Sequence, residues 1–420
     1  MLKGNLFRIY PTKEQKNLLE QHFGAARFVY NKLLHVKSTM YSQCRVSVSK
    51  LVLGNHIQVL KDCYPWLKDI CAHSILAVNN NLDSAFQRFF KGLGEYPKEH
   101  KKKDNHFSYQ YIDSYQINLI TSEIYLPNIG WLPALFHREL FNQDFISNNL
   151  IVHKVNGQQI LKHDFNKEFL RTLTVSRTSA GRYHVSILTE DGMEKPVTQV
   201  YNQSTTIGVD VGIKTFAALS TGELIENPRH LKKSLKKLKM LQKRVSRKVN
   251  GSKNRRKAAK KLAKLHQLVS NQRNDFQHKV SIKLIRENQA IAVETLNIKG
   301  IVKNHKLAQA VSDSAWYSFV SKLTYKANWY GKTVLKIGQW EPSSKECHVC
   351  GYHNKELTLK DREWQCPECK TLHDRDINAA INIKKFAIQA YQITAGTAGR
   401  ACGVTGNSWN KEAGSLTALA

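Results

Sequence analysis

An α/β fold spread over several domains is what the sequence predicts, on three observations. Residues 13 to 103 carry helical spacing of apolar side chains, residues 104 to 203 carry short aromatic and β-branched runs, and strands and helices alternate from 204 onward. The length of 420 residues allows about two to four domains, and 41% hydrophobic content is enough to give them cores.

The first strand is expected at Lys3 to Tyr10, with the helical region inserted after it. From Glu14 to Leu34, the residues Leu18, Leu19, Phe23, Ala26, Val29, Tyr30 and Leu33 recur near every 3.6 positions. Ser74 is placed to cap a second helix that buries Ile75, Val78, Leu82, Phe86 and Phe89. Lys98 to Asp104 reads as a charged loop. Beyond it Phe107, Tyr109 and Tyr111, the stretch Ile117 to Pro127, and the runs Phe169 to Val175 and Arg182 to Leu188 across Ser179-Ala180-Gly181 read as short strands and hairpins of a small β-barrel.

From Thr206 the pattern is a three-stranded meander: Thr206 to Ile213 with Asp210 in it, Phe216 to Ser220, and Leu224-Ile225 after the Thr221-Gly222 turn. Residues 229 to 273 contain no Asp or Glu. Leu231, Leu235, Leu238 and Leu241, then Ala258, Leu262 and Leu265, keep helical spacing on either side of Asn250-Gly251-Ser252, so this is a basic helical hairpin. Its unbroken positive sign favours a phosphate-tracking surface over a merely solvated face. A further strand, Ala290 to Glu294, ends on a glutamate before Asn297 and Gly300. An amphipathic helix with Trp316, Phe319, Val320, Leu323 and Ala327 follows, stopped by Gly331 and leading into a strand at Thr333 to Ile337.

Cys347-x-x-Cys350 and Cys366-x-x-Cys369, separated by 15 residues, have the spacing of two knuckles that close four thiolates around one structural Zn²⁺. His348 and His353 lie inside this hairpin as spectators, and Cys44, Cys63, Cys71 and Cys402 read as free thiols of a reducing compartment. The sequence then opens an apolar helix with acidic residues, Asp374 and Asp376. Asp376, Ala380, Ile383 and Ala387 share one face of it. Laid end to end, the order is that of a ribonuclease H-like (RuvC-type) fold with a zinc-ribbon insertion. Its central strands bring Asp210 and Glu294 side by side, and Asp376 closes the group from the last helix. Three converging carboxylates repel one another unless hard divalent cations neutralise them, so two Mg²⁺ or Mn²⁺ ions and phosphodiester hydrolysis are expected there. Asp374 has two readings, support of that site or a cap for the helix.

The net charge of +31 points to a polyanionic partner. There is no run of about 18 apolar residues, and Met1 to Arg8 lacks the apolar segment of a signal peptide, so an intracellular chain with no membrane partner is expected. Phe89, Phe90, Tyr96, Phe107 and Tyr109 lie among basic residues; base stacking and core packing are both open to them, core being the expectation for most.

The set Tyr10-Pro-Thr-Lys-Glu-Gln, Gly24-Ala-Ala-Arg-Phe-Val-Tyr-Asn31, Ile207-Gly-Val-Asp-Val-Gly-Ile, Val293-Glu-Thr-Leu, Pro342-Ser-Ser-Lys and Cys366-x-x-Cys with His373-Asp-Arg-Asp-Ile-Asn-Ala-Ala resembles the TnpB (OrfB) family of bacterial insertion sequences, over about residues 3 to 390. The resemblance implies an RNA-guided DNA endonuclease related to type V CRISPR effectors. It implies a wedge-like β-barrel (1–12 and 104–203), a helical recognition domain inserted in it (13–103), a RuvC nuclease (204–346 and 370–390) and a zinc-bearing target-nucleic-acid-binding insert (347–369). It implies Asp210, Glu294 and Asp376 as catalytic acids and Cys347, Cys350, Cys366 and Cys369 as zinc ligands. The expected partners are one guide RNA derived from the transposon end, bound by a monomer, and a double-stranded DNA target with a short adjacent motif. A bacterial cytoplasmic, nucleoid-associated location goes with them. A nuclease-silent RNA-guided repressor and a strand-joining transposase are the other readings, and the intact acids argue against the first. Lys370 departs from the family, standing where glycine is frequent after the second knuckle. Residues 391 to 420 read as a flexible tail.

Overall fold

The computed structural model describes residues 1–398 apart from 105, 106, 164, 195, 199, 340, 359 and 360. The chain divides into two compact units, residues 1–194 with 241–264, and 195–240 with the residues from 265 onward.

In the first unit, β1 (Leu2–Ile9) leads into α1 (Lys13–Cys44), α2 (Lys50–Cys63) and α3 (Ala72–Phe90). Thr12 caps α1: its hydroxyl accepts from Gln15 N, and the Gln15 side chain accepts from Thr12 N, a reciprocal capping box. The same Gln15 donates to Trp131 O at 2.8 Å. That gives the Tyr10-Pro-Thr-Lys-Glu-Gln segment its purpose, which is to fix where the helix leaves the sheet. The helices bury Val29, Leu33, Leu53, Leu60, Ile75 and Leu82 in one core. One reading needs correction here. Ser74 does not cap α3; the helix begins two residues earlier and the Ser74 hydroxyl donates to Cys71 O inside its first turn. The helix α2 lies within the stretch expected to be helical and buries Leu53, Ile57 and Leu60 on its inner face.

The strands β2 (Ser108–Tyr111), β3 (Gln116–Asn118), β4 (Glu123–Leu126) and β5 (Gly130–Leu135), the short α4 (Gln143–Asn149), and β6 (Val152–Val155), β7 (Gln158–Lys162), β8 (Leu170–Arg177) and β9 (Tyr183–Glu190) complete a nine-stranded sheet with β1. The strand order is β2-β8-β9-β1-β5-β4-β3-β7-β6. Phe7, Tyr109, Tyr111, Ile117, Ile124, Leu132, Leu161, Leu173 and Val185 turn to a single shared core. Among the described residues no ladder joins β6 to β2, so the small barrel expected from the hairpins is, by hydrogen bonding, an open sheet curled round one core. Phe107 and Tyr109 are core residues, whereas Phe90 and Tyr96 are exposed.

In the second unit, β10 (Thr206–Val211), β11 (Thr215–Leu219) and β12 (Leu224–Glu226) form the meander. Next come α5 (His230–Ser246) and α6 (Lys253–Glu287), of which residues 241–264 belong to the first unit, then β13 (Ala290–Glu294), α7 (Ile298–Val302), α8 (His305–Ser314), α9 (Trp316–Tyr330) and β14 (Thr333–Ile337). The hairpin β15 (Glu363–Gln365) and β16 (Leu372–Asp374) precedes α10 (Arg375–Ala398). The sheet order is β12-β11-β10-β13-β14, with β10, β13 and β14 parallel and β11 and β12 antiparallel. β10 and β13 are central and read as continuous apolar runs because both faces are covered. On one face Ile207, Val209, Ile291 and Val293 meet Leu284 and Ile285 of α6 and Phe319 and Leu323 of α9. On the other, Ala292 and Ile337 meet Ile383 and Ala387 of α10.

Gly208 decides how close α10 comes. A Cβ on it would stand 2.0 Å from Ala380 O, so only glycine lets the helix lie against the strand at this point. The helix α10 runs to Ala398, into the segment expected to be a flexible tail, and residues 399–420 of that tail lie outside the described residues. No helix among the described residues is long and apolar enough to cross a membrane.

Candidate active site and metal centre

The sheet register brings the first two acids together. In the parallel pair, Val209 faces Val293, so the next residues, Asp210 and Glu294, end adjacent strands at the same level. Side chains alternate along a strand. Asp210 therefore shares a face with Gly208, and Glu294 with Ala292, which is the face covered by α10. Asp376, one turn before Ala380 on that helix, supplies the third carboxylate.

Asp210 senses both of the other acids. The Asp210 carboxyl is pushed up to about 7, first by burial and then by the charges of Glu294 and Asp376, with Arg375 opposing. Burial also raises Glu294. Two guanidinium groups face Asp376: Arg375 Nη2 lies 3.3 Å from its Oδ1, and Arg362 Nη1, from the cysteine hairpin, lies 3.5 Å from both oxygens. Arg362 was not anticipated. It comes close only because the hairpin folds back, and no local spacing announces that. Asp374 takes the second of its two readings: its Oδ1 accepts from Asp376 N and Ile377 N at 2.9 Å, capping α10.

The sulfurs of Cys347, Cys350, Cys366 and Cys369 lie within 4.8 Å of one another. Cys347 and Cys369 are 3.6 Å apart, and Cys350 and Cys366 3.5 Å. A zinc ion with Zn–S bonds of about 2.3 Å requires tetrahedral S–S separations near 3.8 Å, so the four thiols fit it with little adjustment. The two knuckles repeat one geometry. Gly351 N and Lys370 N return to Cys347 O and Cys366 O at 2.9 and 3.0 Å, and Cys347 N and Cys366 N donate to Tyr352 O and Thr371 O at 2.9 Å each. Both turns need a positive φ, +81° at Gly351 and +58° at Lys370. Lysine thus occupies a left-handed position that glycine fills without strain. The Thr371 hydroxyl and amide hold the Cys369 thiol down at about 6, which favours the thiolate that binds metal. His348 and His353 are not among the four ligands.

Comparison with known proteins bears on both sites. A family described as "Probable transposase" (OrfB, IS605) matches residues 184–305, a "Cas12f1-like, TNB domain" matches 316–383, and a "Helix-turn-helix domain" matches 1–45. Over that last stretch the structure has β1 and the single helix α1. A Streptomyces pristinaespiralis protein named "Putative RNA-guided DNA endonuclease" is 35% identical over 399 residues, covering 94% of this chain and 90% of its own. The chain belongs to the TnpB (OrfB) family. A more distant relative, "Putative RNA-guided DNA endonuclease InsQ" of Escherichia coli (strain K12), is 27% identical over 96% of this chain and 94% of its own. Among solved structures, the protein of a Cas12f1–sgRNA–target DNA complex superposes with a TM-score of 0.56 at 15% identity, over 91% of this chain and 98% of that one. This similarity extends the shared fold to the type V effectors. These two relatives are matched over nearly their full length.

Proposed function

We propose that this chain is an RNA-guided DNA endonuclease in which Asp210, Glu294 and Asp376 hold two Mg²⁺ ions and Cys347, Cys350, Cys366 and Cys369 hold one structural Zn²⁺. The observation that carries this reading is the approach of three carboxylates, with Asp210 raised to about 7 first by burial and then by the charges of Glu294 and Asp376. Such a cluster is stable as three anions only beside cations. Two divalent ions bound there supply an activated water and stabilise the leaving 3′ oxygen.

The rest is done by the protein. Asp210 and Glu294, fixed on central strands, cannot drift apart, and Asp376 is held by a capped helix that Gly208 admits against β10. Arg362 and Arg375 offset charge at Asp376 and are placed to meet a phosphate drawn to the same point. Four thiolates leave a zinc no open position, so that metal folds the hairpin and takes no part in the reaction.

The helix α5 exposes Lys232, Lys233, Lys236, Lys237, Lys239 and Lys243 while burying Leu238, Leu241 and Val245. This is a surface suited to a phosphate backbone. A guide RNA from the transposon end, bound by one protein chain, supplies specificity by pairing with a duplex target that carries a short adjacent motif, in the bacterial cytoplasm. The wedge and recognition roles fall to the nine-stranded sheet and to α1–α3.

The test is to purify the protein, sequence the RNA that accompanies it, and challenge the complex with a duplex matching the variable end of that RNA, flanked by randomised bases. Cleavage in Mg²⁺ dependent on the matching sequence supports the reading. Guided binding without cleavage would make it a repressor, and joined products a transposase.

A further inference from the structure

The segment that carries Asp376 also grips a zinc ligand from the other knuckle. His373 Nε2 lies 3.1 Å from Cys347 Sγ in a buried setting. Its ring is held by Trp364, whose register partner it is across β15 and β16, and by the edge of His348, both at 4.8 Å. The residues flanking Cys347 are held in turn by α10. The Asn378 side chain donates to Glu346 O at 2.8 Å and accepts from His348 N at 3.1 Å, while Asn382 donates to Glu346 O at 2.6 Å and to Ser343 O at 2.8 Å.

Asn378 and Asn382 are 1% and 0% exposed and one turn apart on α10. Buried amides require partners; both amide nitrogens donate to the backbone leading into the first knuckle, while the Asn382 oxygen is left without one. The second knuckle has a lighter arrangement: Thr371 lies 3.2 Å from Cys369, and Gln365 donates to Lys370 O at 3.1 Å.

A tetrathiolate zinc site carries more negative charge on sulfur than the ion cancels. An N–H aimed at a sulfur relieves that charge and fixes the ligand's direction. We infer that His373 is a positioning residue: it donates Nε2–H to the Cys347 thiolate and, with Asn378 and Asn382, locks the first knuckle to α10, so that zinc retention and the placement of Asp376 depend on one another. The inference rests on the zinc assignment above and adds to it a direction of coupling, from Cys347 through His373 and the two asparagines to the helix that carries the acid.

The test uses the full-length, guide-loaded protein as wild type, His373→Phe, His373→Gln and Asn378→Ala. Three readouts are taken: the rate of zinc release to a chromophoric chelator, the visible spectrum after Co²⁺ substitution, and the Mg²⁺ concentration that half-saturates cleavage. His373→Phe and Asn378→Ala should each release zinc about 10-fold faster or more and need more Mg²⁺. His373→Gln, whose amide N–H reaches the same place, should keep near wild-type release. The Co²⁺ spectrum should remain that of four thiolates in every variant, with its sulfur charge-transfer band shifted in His373→Phe.

Unchanged zinc release in both His373→Phe and Asn378→Ala would overturn the inference. So would a wild-type Co²⁺ spectrum showing a nitrogen donor that His373→Phe removes, since His373 would then be a ligand. Wild-type protein without zinc by elemental analysis would instead remove the zinc assignment itself.

Discussion

The thiolate cluster and the carboxylate cluster are both served by the short stretch from Cys366 to Asp376, yet they solve opposite problems. The sulfurs lie 3.5 and 3.6 Å apart in pairs, with Cys369 lowered to about 6 by Thr371 while Cys347 and Cys350 are raised. The carboxylates are set against one another and against burial, and Asp210 is raised to about 7. A site already arranged for its metal serves folding. One held neutral by burial and neighbouring charge until cations arrive is suited to chemistry, since ions held there would leave positions for water and substrate.

The largest effect should come from opening the thiolate site. Cys366→Ser should release the zinc and lower the melting temperature by ten degrees or more, because the binding energy of a structural zinc, on the order of 10 kcal/mol in small domains, is folding energy. Full zinc content by elemental analysis in that variant would break the comparison on its sulfur side.

Next is the helix that serves both sites. Gly208→Ala places a methyl 2.0 Å from Ala380 O, and neither strand nor helix backbone can give way cheaply. A loss of about 3 kcal/mol by denaturant unfolding is expected, with cleavage reduced because α10 carries Asp376 away from the strands. A variant as stable as wild type would mean that the helix is not held as described.

The carboxylate side should show itself in the pH dependence of stability. The Asp210 value in the fold lies above its ordinary 3.8. Its contribution to stability is therefore fully present below about pH 4 and is lost as pH rises toward 7. Without divalent ions, stability should fall over that window by a few kcal/mol at most. Saturating Mg²⁺ should flatten the fall, and Asp210→Asn should remove it. A profile that rises through the window in wild type and variant alike would contradict the raised Asp210.

The smallest effect separates the two knuckles. Lys370→Gly relieves a φ of +58° that Gly351 already accommodates on the other side, and should stabilise the protein by about 1 kcal/mol without changing zinc stoichiometry. A destabilised Lys370→Gly would mean that the lysine side chain itself holds the turn.

What the sequence made legible follows from how local each signal is. Asp210, Glu294 and Asp376 could be picked out because a strand end and a helix start are visible in a few residues, and parallel pairing then aligns them. The cysteines announce themselves by spacing. Arg362, by contrast, reaches Asp376 only through the fold-back of the hairpin. Asn378 and Asn382 read as ordinary helix residues until the carbonyls they satisfy come into view, although two amides one turn apart on a core-packing helix are a usable hint. The nine-stranded sheet was the least legible, since β1 pairs with β9 some 180 residues away, Ile9 opposite Tyr183. The alternation inside each strand says which face is buried and nothing about its neighbour.

The central claim is that the acids perform the chemistry while the thiolates hold the fold, and Asp376→Ala tests it most directly. The guide-loaded variant should be assayed side by side with wild type for target binding, zinc content and cleavage in Mg²⁺. The account predicts wild-type binding, full zinc content and cleavage reduced at least about a thousandfold, since the metal-held chemistry loses a ligand. Cleavage within a few-fold of wild type, with zinc and binding intact, would contradict it.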